Sequence, residues 1–271
     1  MTPGSLILAL DTSTETCSVA VLVPRRRRPD LLSRRESSGG RGHTRDLLVL
    51  CQEALAEVGA GAADVGSVVV GNGPGTFTGV RIAVATARGM ALSLGVPVTG
   101  VSSLAALAAA ALESVLSAAG GTSGADTAGT ALDHGWPELV VPLIDAHRGQ
   151  LFGAVYKRAD GLWVRQGSFF AADPDKAEAE ARARGGEGAA VFVGKTEQVD
   201  AAAGRRVPAS VDAAFLVLGQ ERLADAEAAE PVDAGSFRTP GEPGSPEAVV
   251  PIYVRAPDAD LHIKKMRDPW A

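Results

Sequence analysis

Little in this 271-residue sequence invites disulfide or metal chemistry, for it holds two cysteines, Cys17 and Cys51, and four histidines. Both cysteines fall within apolar stretches, one strand-like and one helix-like, which suits small core residues better than a disulfide. No apolar run reaches the roughly 18 residues of a membrane span. The first apolar run, at Leu6, is too short for a secretory leader and lacks a basic segment before it. A soluble, cytoplasmic chain without membrane contact is therefore expected. Aromatic residues are scarce, at 4%, while apolar residues reach 46%, so Val, Leu, Ile and Ala must build the core. The length allows one large domain or two small lobes. The formal net charge of −6 argues against nonspecific nucleic-acid binding by the whole surface.

What is present centres on residues 67–83. The β-branched run Ser67–Gly71 ends in Asn72-Gly73-Pro74-Gly75-Thr76-Phe77-Thr78-Gly79, then passes into a helical pattern. Val80, Ala83, Val84, Ala87, Met90, Ala91 and Leu94 recur at three- and four-residue steps, which predicts strand, tight loop, helix. Thr76 or Thr78 is placed to cap the helix. Gly73, Pro74 and Gly75 either make a tight connection only, or aim backbone amides at an anion above the sheet. A second polar turn lies near the start. Leu6–Leu10 runs into Asp11-Thr12-Ser13-Thr14 and then into the apolar run Cys17–Val23, a hairpin order.

Between these stretches, residues 31–36 read as an edge strand and His43–Val58 as an amphipathic helix with Leu47, Leu48, Cys51, Ala54, Leu55 and Val58 on its apolar stripe. Residues 25–45 carry a local charge of +6. The run Arg25–Arg28 suits a solvated hairpin tip or a contact to RNA phosphates, though no interleaved aromatics offer stacking. His43 stands alone on its helix. The i+4 position is Leu47, so a two-imidazole metal site is missing there and no metal is expected.

Leu-Asp-Thr-Ser around Asp11, His43-Thr44-Arg45, and Gly-Pro-Gly-Thr-Phe-Thr-Gly-Val-Arg-Ile at 73–82 together resemble the TsaB (YeaZ) family. Val140–Gln150 is similar to the start of that family's second lobe, and Pro251–Arg255 to its end. The resemblance is strong over roughly residues 5–105, good over 138–157 and weak elsewhere. It implies an α/β, actin-like or ribonuclease-H-like fold of two lobes, with mixed β-sheets flanked by helices. It also implies a role as the non-catalytic partner of a TsaD-like subunit that forms N6-threonylcarbamoyladenosine beside the tRNA anticodon. A TsaE-like ATPase, a homodimer when alone, and tRNA reached through the complex are further implied partners. No cofactor is expected on this chain itself, while ATP and zinc or iron are expected on the partner subunits.

By the same resemblance the partner interface comprises the two helices of the first lobe, with His43, Leu47, Leu48, Cys51, Leu55, Val80, Ala83, Val84, Ala87 and Ala91. The competing possibility is that these faces simply pack inside the lobe. On the first view, replacing Ala87 by Arg blocks pairing and leaves circular dichroism unchanged. Asp11, Thr12, Ser13, Gly73, Gly75 and Thr76 form a vestigial phosphate loop, since sugar kinases and actin-like ATPases open with an aspartate and hydroxyls facing a phosphate and its metal. The alternative function is an actin-like ATPase or phosphotransferase, and a metallopeptidase is a third reading.

Along the chain, residues 1–116 read as the first lobe, 117–136 as a flexible Ala/Gly/Ser/Thr-rich insertion, and 137–226 as a second, degenerate lobe. Residues 227–271 read as linker and tail, with a short strand at Val249–Val254. In the second lobe we expect strands at Val140–Ile144, Gln150–Lys157 and Ala189–Val193, an exposed helix at Lys176–Arg184, and a closing helix at Val211–Ala226 packed back on the first lobe. Asp145 is either a phosphate-side acid or a turn aspartate. Gly194 is followed by Lys195 where a nucleotide-binding relative needs two glycines, which argues against independent ATP binding.

Overall fold

Leu6, Leu8 and Leu10 point to one face of the first strand and Ile7 and Ala9 to the other, and both faces are covered. The computed structural model describes residues 4–26, 28–38, 43–118, 136–197, 199–200, 204–224 and 244–254. Strands β1 (Leu6–Asp11), β2 (Thr16–Val23) and β3 (Asp30–Ser38) form a meander, and β4 (Val65–Gly71) and β5 (Val98–Val101) add in parallel beside β1. The sheet order is β3-β2-β1-β4-β5. Helices α1 (His43–Glu57) and α2 (Phe77–Leu94) cover one face, and α3 (Ser103–Ala118) packs on the other.

The second sheet centres on β6 (Leu139–His147). The strands β7 (Gln150–Gly153) and β8 (Tyr156–Ala159) run antiparallel along β6, with β9 (Leu162–Arg165) and β10 (Phe170–Ala172) beyond them. Helix α4 (Pro174–Gly185) then leads to β11 (Ala190–Gly194), parallel to β6, and on to β12 (Arg205–Pro208). Two mixed sheets with flanking helices constitute the expected actin-like, ribonuclease-H-like architecture.

Helix α3 joins the two sheets into one body. Leu104 to Ala109 are all buried, because Ala9, Ala20 and Leu22 of the first sheet and Val140, Ile144 and Val193 of the second belong to the same core. A helix buried on all sides is apolar all round, and its alanines let both sheets approach closely. Ion pairs reinforce the junction. Glu113 of α3 accepts from Arg28 at 2.9 Å and from Arg222 at 2.6 Å, and Arg34 of β3 pairs with Asp212 at 2.7 Å.

Several expectations are corrected. The single strand expected at Gln150–Lys157 breaks at Ala154 and Val155 into β7 and β8, while β9, β10 and β12 were not anticipated. No helix spans Val211–Ala226; the segment forms 3-10 turns at Ala213–Leu216 and Gln220–Arg222, then a two-residue strand β13 (Leu223–Ala224). Gly219, at φ 77°, interrupts any helix there. The segment does pack against the first lobe, with the Ala213 amide donating to Ser18 Oγ. Val249–Val254 is not a strand, and residues 244–254 are no free linker. They lie along the first lobe, with Val249 buried, the Val98 amide donating to the Gly244 carbonyl, and the Ile252 amide donating to the Asn72 carbonyl. The expected insertion falls largely outside the described residues, as does most of the 227–271 stretch. Among the described residues no helix is long and apolar enough to cross a membrane.

Candidate functional site

The C-terminal end of β1 delivers Asp11 into the interior. Its carboxylate is fully buried, with Oδ1 accepting from the Ser13 amide and hydroxyl, both at 2.7 Å, and Oδ2 accepting from Ser103 Oγ at 2.7 Å. Ser103 is the first residue of α3, so one carboxylate ties the β1 turn to the helix between the sheets. Burial pushes the Asp11 carboxyl above its ordinary range, and the Ser13 and Ser103 hydrogen bonds offset part of that rise. Cys17 and Cys51 are buried free thiols, each raised to about 12 mainly by burial, so neither is a reactive thiolate.

The glycine-rich loop is fitted onto this turn. The Thr76 amide donates to the Ser13 carbonyl at 2.7 Å, Thr12 Oγ1 donates to the Gly79 carbonyl at 2.7 Å, and Thr76 Oγ1 caps α2 by accepting from the Gly79 amide. Three glycines are required by proximity. A Cβ on Gly71 would lie 1.6 Å from Asp11 Oδ2, on Gly75 2.2 Å from the Ser13 carbonyl oxygen, and on Gly79 1.9 Å from the Thr12 carbonyl oxygen. Asp11, Thr12, Ser13, Gly75 and Thr76 thus lie together, and Gly73 joins them through its carbonyl, which accepts from the Ser103 amide at 2.8 Å. Yet Asp11 does not fit the task of holding a metal-bound water. Its oxygens already accept from hydroxyls and an amide, no solvent reaches it, and burial disfavours its charged form.

Beside this turn a cleft of about 330 Å³ opens between the sheets, lined among others by Thr14, Thr76, Asp145, His147, Lys195 and Ser210. Asp145, near the end of β6, accepts from the His147 amide at 2.6 Å. A Cβ on Gly194 would meet the Leu143 carbonyl oxygen at 2.2 Å, so that glycine packs on β6, and exposed Lys195 follows it at the cleft.

The outer surface of α1 and α2 is the third feature. Leu47, Cys51, Leu55, Val80, Ala83, Val84, Ala87 and Ala91 are buried against the sheet, and this corrects their assignment to a partner interface. The periodic apolar stripe is the inward face, because the sheet must be covered first. Of the expected interface residues whose side chains are described, only Leu48 is exposed, at 49%. His43 opens α1, but its side chain lies outside the described residues. The faces turned outward carry Leu48, Val49 and Ala56 on α1, and Phe77, Arg81, Ala85, Gly89 and Leu92 on α2. Leu92 is 61% exposed, and nothing stands within 4 Å of a Cβ added to Gly89. Of the basic run, Arg25 pairs with Asp30 and Arg28 with Glu113, whereas Arg27 lies outside the described residues.

Residues 33–164, which include most of these features, match the family model described as "TsaD: tRNA N6-adenosine threonylcarbamoyltransferase". The chain is 41% identical over 107 residues to the tRNA threonylcarbamoyladenosine biosynthesis protein TsaB of Haemophilus influenzae, covering 40% of this chain and 43% of that protein. It is 33% identical over 158 residues to TsaB of Escherichia coli, covering 58% of each. The matches therefore span about half the length of these relatives. An uncharacterised protein of Mycobacterium tuberculosis is 31% identical over 258 residues, 94% of both chains. YeaZ from Pseudomonas aeruginosa superposes with a TM-score of 0.58 at 28% identity, over 78% of this chain and 88% of that one. The chain belongs to the TsaB (YeaZ) family.

For a TsaB-family chain the informative residues include several that periodicity passed over. Ser103 carries no periodic signal; the neighbouring Ser102 hydroxyl accepts from the Leu104 amide at 3.2 Å. Ala85, Gly89 and Leu92 lie opposite the apolar stripe of α2, where helical spacing alone marks solvent. Phe77 and Arg81 stand inside the 73–82 motif, and Tyr253 reaches them from the far end of the described chain.

Proposed function

We propose that this chain is a non-catalytic partner of a TsaD-type subunit in forming N6-threonylcarbamoyladenosine in tRNA. The observation that carries this reading is the contrast between a sealed Asp11 turn and an uncovered helical face. Asp11 is spent on Ser13 and Ser103, so it is not poised to activate a metal-bound water. The outward residues Leu48, Val49, Ala85, Gly89 and Leu92 leave apolar and small side chains in solvent, which suits close approach of another chain's helices. The match to a TsaD family model over α1, β4, α2 and α3 supports pairing between related surfaces, because a paralogue carrying the same two helices packs on them by pseudo-twofold symmetry. The same symmetry gives a homodimer when the chain is alone.

In this proposal ATP and zinc or iron reside on partner subunits, a TsaE-like ATPase joins near the subunit joint, and tRNA is reached through the complex. The test is reconstitution. With the TsaD-type subunit of the same organism, the chain should co-elute as a heterodimer and be required for threonylcarbamoyladenosine in tRNA, measured by nucleoside mass spectrometry. Modification proceeding at full rate without it would sink the reading. An ATPase or phosphotransferase is the second reading, favoured by the 330 Å³ cleft beside Thr14, Thr76 and Lys195. Titration calorimetry with ATP and Mg²⁺ on the isolated chain separates the two, since micromolar binding favours the enzyme.

A further inference from the structure

Arg81 is unusually constrained for an exposed arginine. Its guanidinium carbon lies 3.6 Å from the centroid of the Phe77 ring, and its Nε donates to the Tyr253 hydroxyl at 2.8 Å. The Tyr253 ring lies beside this stack, its centroid 5.7 Å from the guanidinium carbon and 5.5 Å from that of Phe77, with Phe77 38% and Tyr253 47% exposed. Tyr253 is itself held in place, because the Ile252 amide donates to the Asn72 carbonyl at 2.7 Å and Asn72 Nδ2 donates to the Val250 carbonyl at 3.1 Å. The stack uses one face of the guanidinium and Nε, and among the described residues no ion pair engages its two terminal nitrogens. They form a planar, pre-oriented fork, the geometry that receives a carboxylate through two parallel hydrogen bonds.

We infer that Phe77, Arg81 and Tyr253 form a clamp for a single carboxylate of a protein partner, seated at one end of the α1–α2 docking face. The clamp shares the outer face of α2 with Ala85, Gly89 and Leu92, and it joins aromatic anchors to an arginine, the side chains that dominate interface energetics. An RNA phosphate is disfavoured. RNA needs several free cations along a track, and Arg88, the other cation of α2, is spent on the carbonyls of Pro246 and Glu247. The inference rests on the docking role proposed above, and names the chemistry that selects the partner there.

Calorimetric titration of the full chain with the TsaD-type subunit tests it. Arg81→Ala and Arg81→Gln should each weaken binding about 30-fold, with the melting temperature unchanged. Arg81→Lys, which keeps the charge and loses the fork, should recover little of that loss. Replacing exposed Asp and Glu of the partner by amides one at a time should reveal one carboxylate whose loss costs as much. Combined with Arg81→Ala, that replacement should cost no more than either alone. Undiminished binding by Arg81→Ala, while Ala85→Arg abolishes it, overturns the clamp and leaves the docking reading standing. No binding by the unaltered chain overturns both. Unchanged partner affinity with weakened tRNA retention by the complex would assign Arg81 to RNA and overturn the clamp.

Discussion

The two sides of the 71–82 stretch have opposite fates. Gly71, Gly75, Thr76 and Gly79 press onto the Asp11 turn so closely that no side chain fits between them, and every buried hydroxyl there finds a partner. Interleaved with them on the outer side of α2, Phe77 and Arg81 are exposed, in line with Ala85 and Leu92. A satisfied buried polar cluster fixes geometry and leaves nothing over for a ligand. An exposed apolar face has the reverse property, gaining most when something covers it. One contiguous motif thus seals the Asp11 turn with one side and leaves the other side exposed.

The comparison is broken most forcefully by treating the two sides of α2 alike. Ala87→Arg puts a charge at a fully buried position, and should cost about 4 kcal/mol or more. It is expected to appear as lost helical signal and insoluble protein, contrary to the unchanged circular dichroism expected from the sequence. Gly79→Ala drives a methyl into the Thr12 carbonyl, and a loss of about 3 kcal/mol is expected in denaturant titration. Ser103→Ala strips Asp11 Oδ2 of its hydroxyl donor, for about 2 kcal/mol in the same measurement.

Asp11→Asn sharpens the same side through pH. The folded carboxyl is raised by burial above 3.8, so its stabilising protonated form is complete below the unfolded value and is lost as pH rises through the folded one. Asparagine keeps an acceptor for Ser13, and Ser103 can turn to accept from its amide. The melting temperature of the variant should therefore gain on the unaltered chain as pH rises from about 4, and parallel curves would show that Asp11 ionises in the fold without penalty. Smallest in stability is Ala85→Arg on the exposed side, which should lie within about 0.5 kcal/mol of the unaltered chain while abolishing co-elution with the TsaD-type subunit.

Much of this was legible in the sequence. The meander, the edge strand β3, both outer helices and a threonine cap on α2 follow from periodicity and turn chemistry, which act over a few residues, whereas the pairing of the Asp11 turn with the glycine loop is implied by the family resemblance. The second lobe was less legible because its strands are short, two to five residues apart from β6, and Ala, Gly and Arg in them carry little alternation. The segment after Val211 has helical apolar spacing, yet Asp212, Gly219 and packing against α3 and the first sheet override that propensity.

By itself the sequence determined the apolar stripes of α1 and α2 and the turns around Asp11 and Gly73, while the family resemblance implied that these two turns lie together. Only the tertiary structure decided that the apolar stripes of α1 and α2 face the sheet, leaving the weaker faces exposed. It alone also closed Asp11 with Ser103 and brought Tyr253 onto Arg81, 172 residues away. The physical reason is that periodicity reports a side chain's direction relative to its own element. Which neighbour lies in that direction depends on contacts made by residues far apart in the chain.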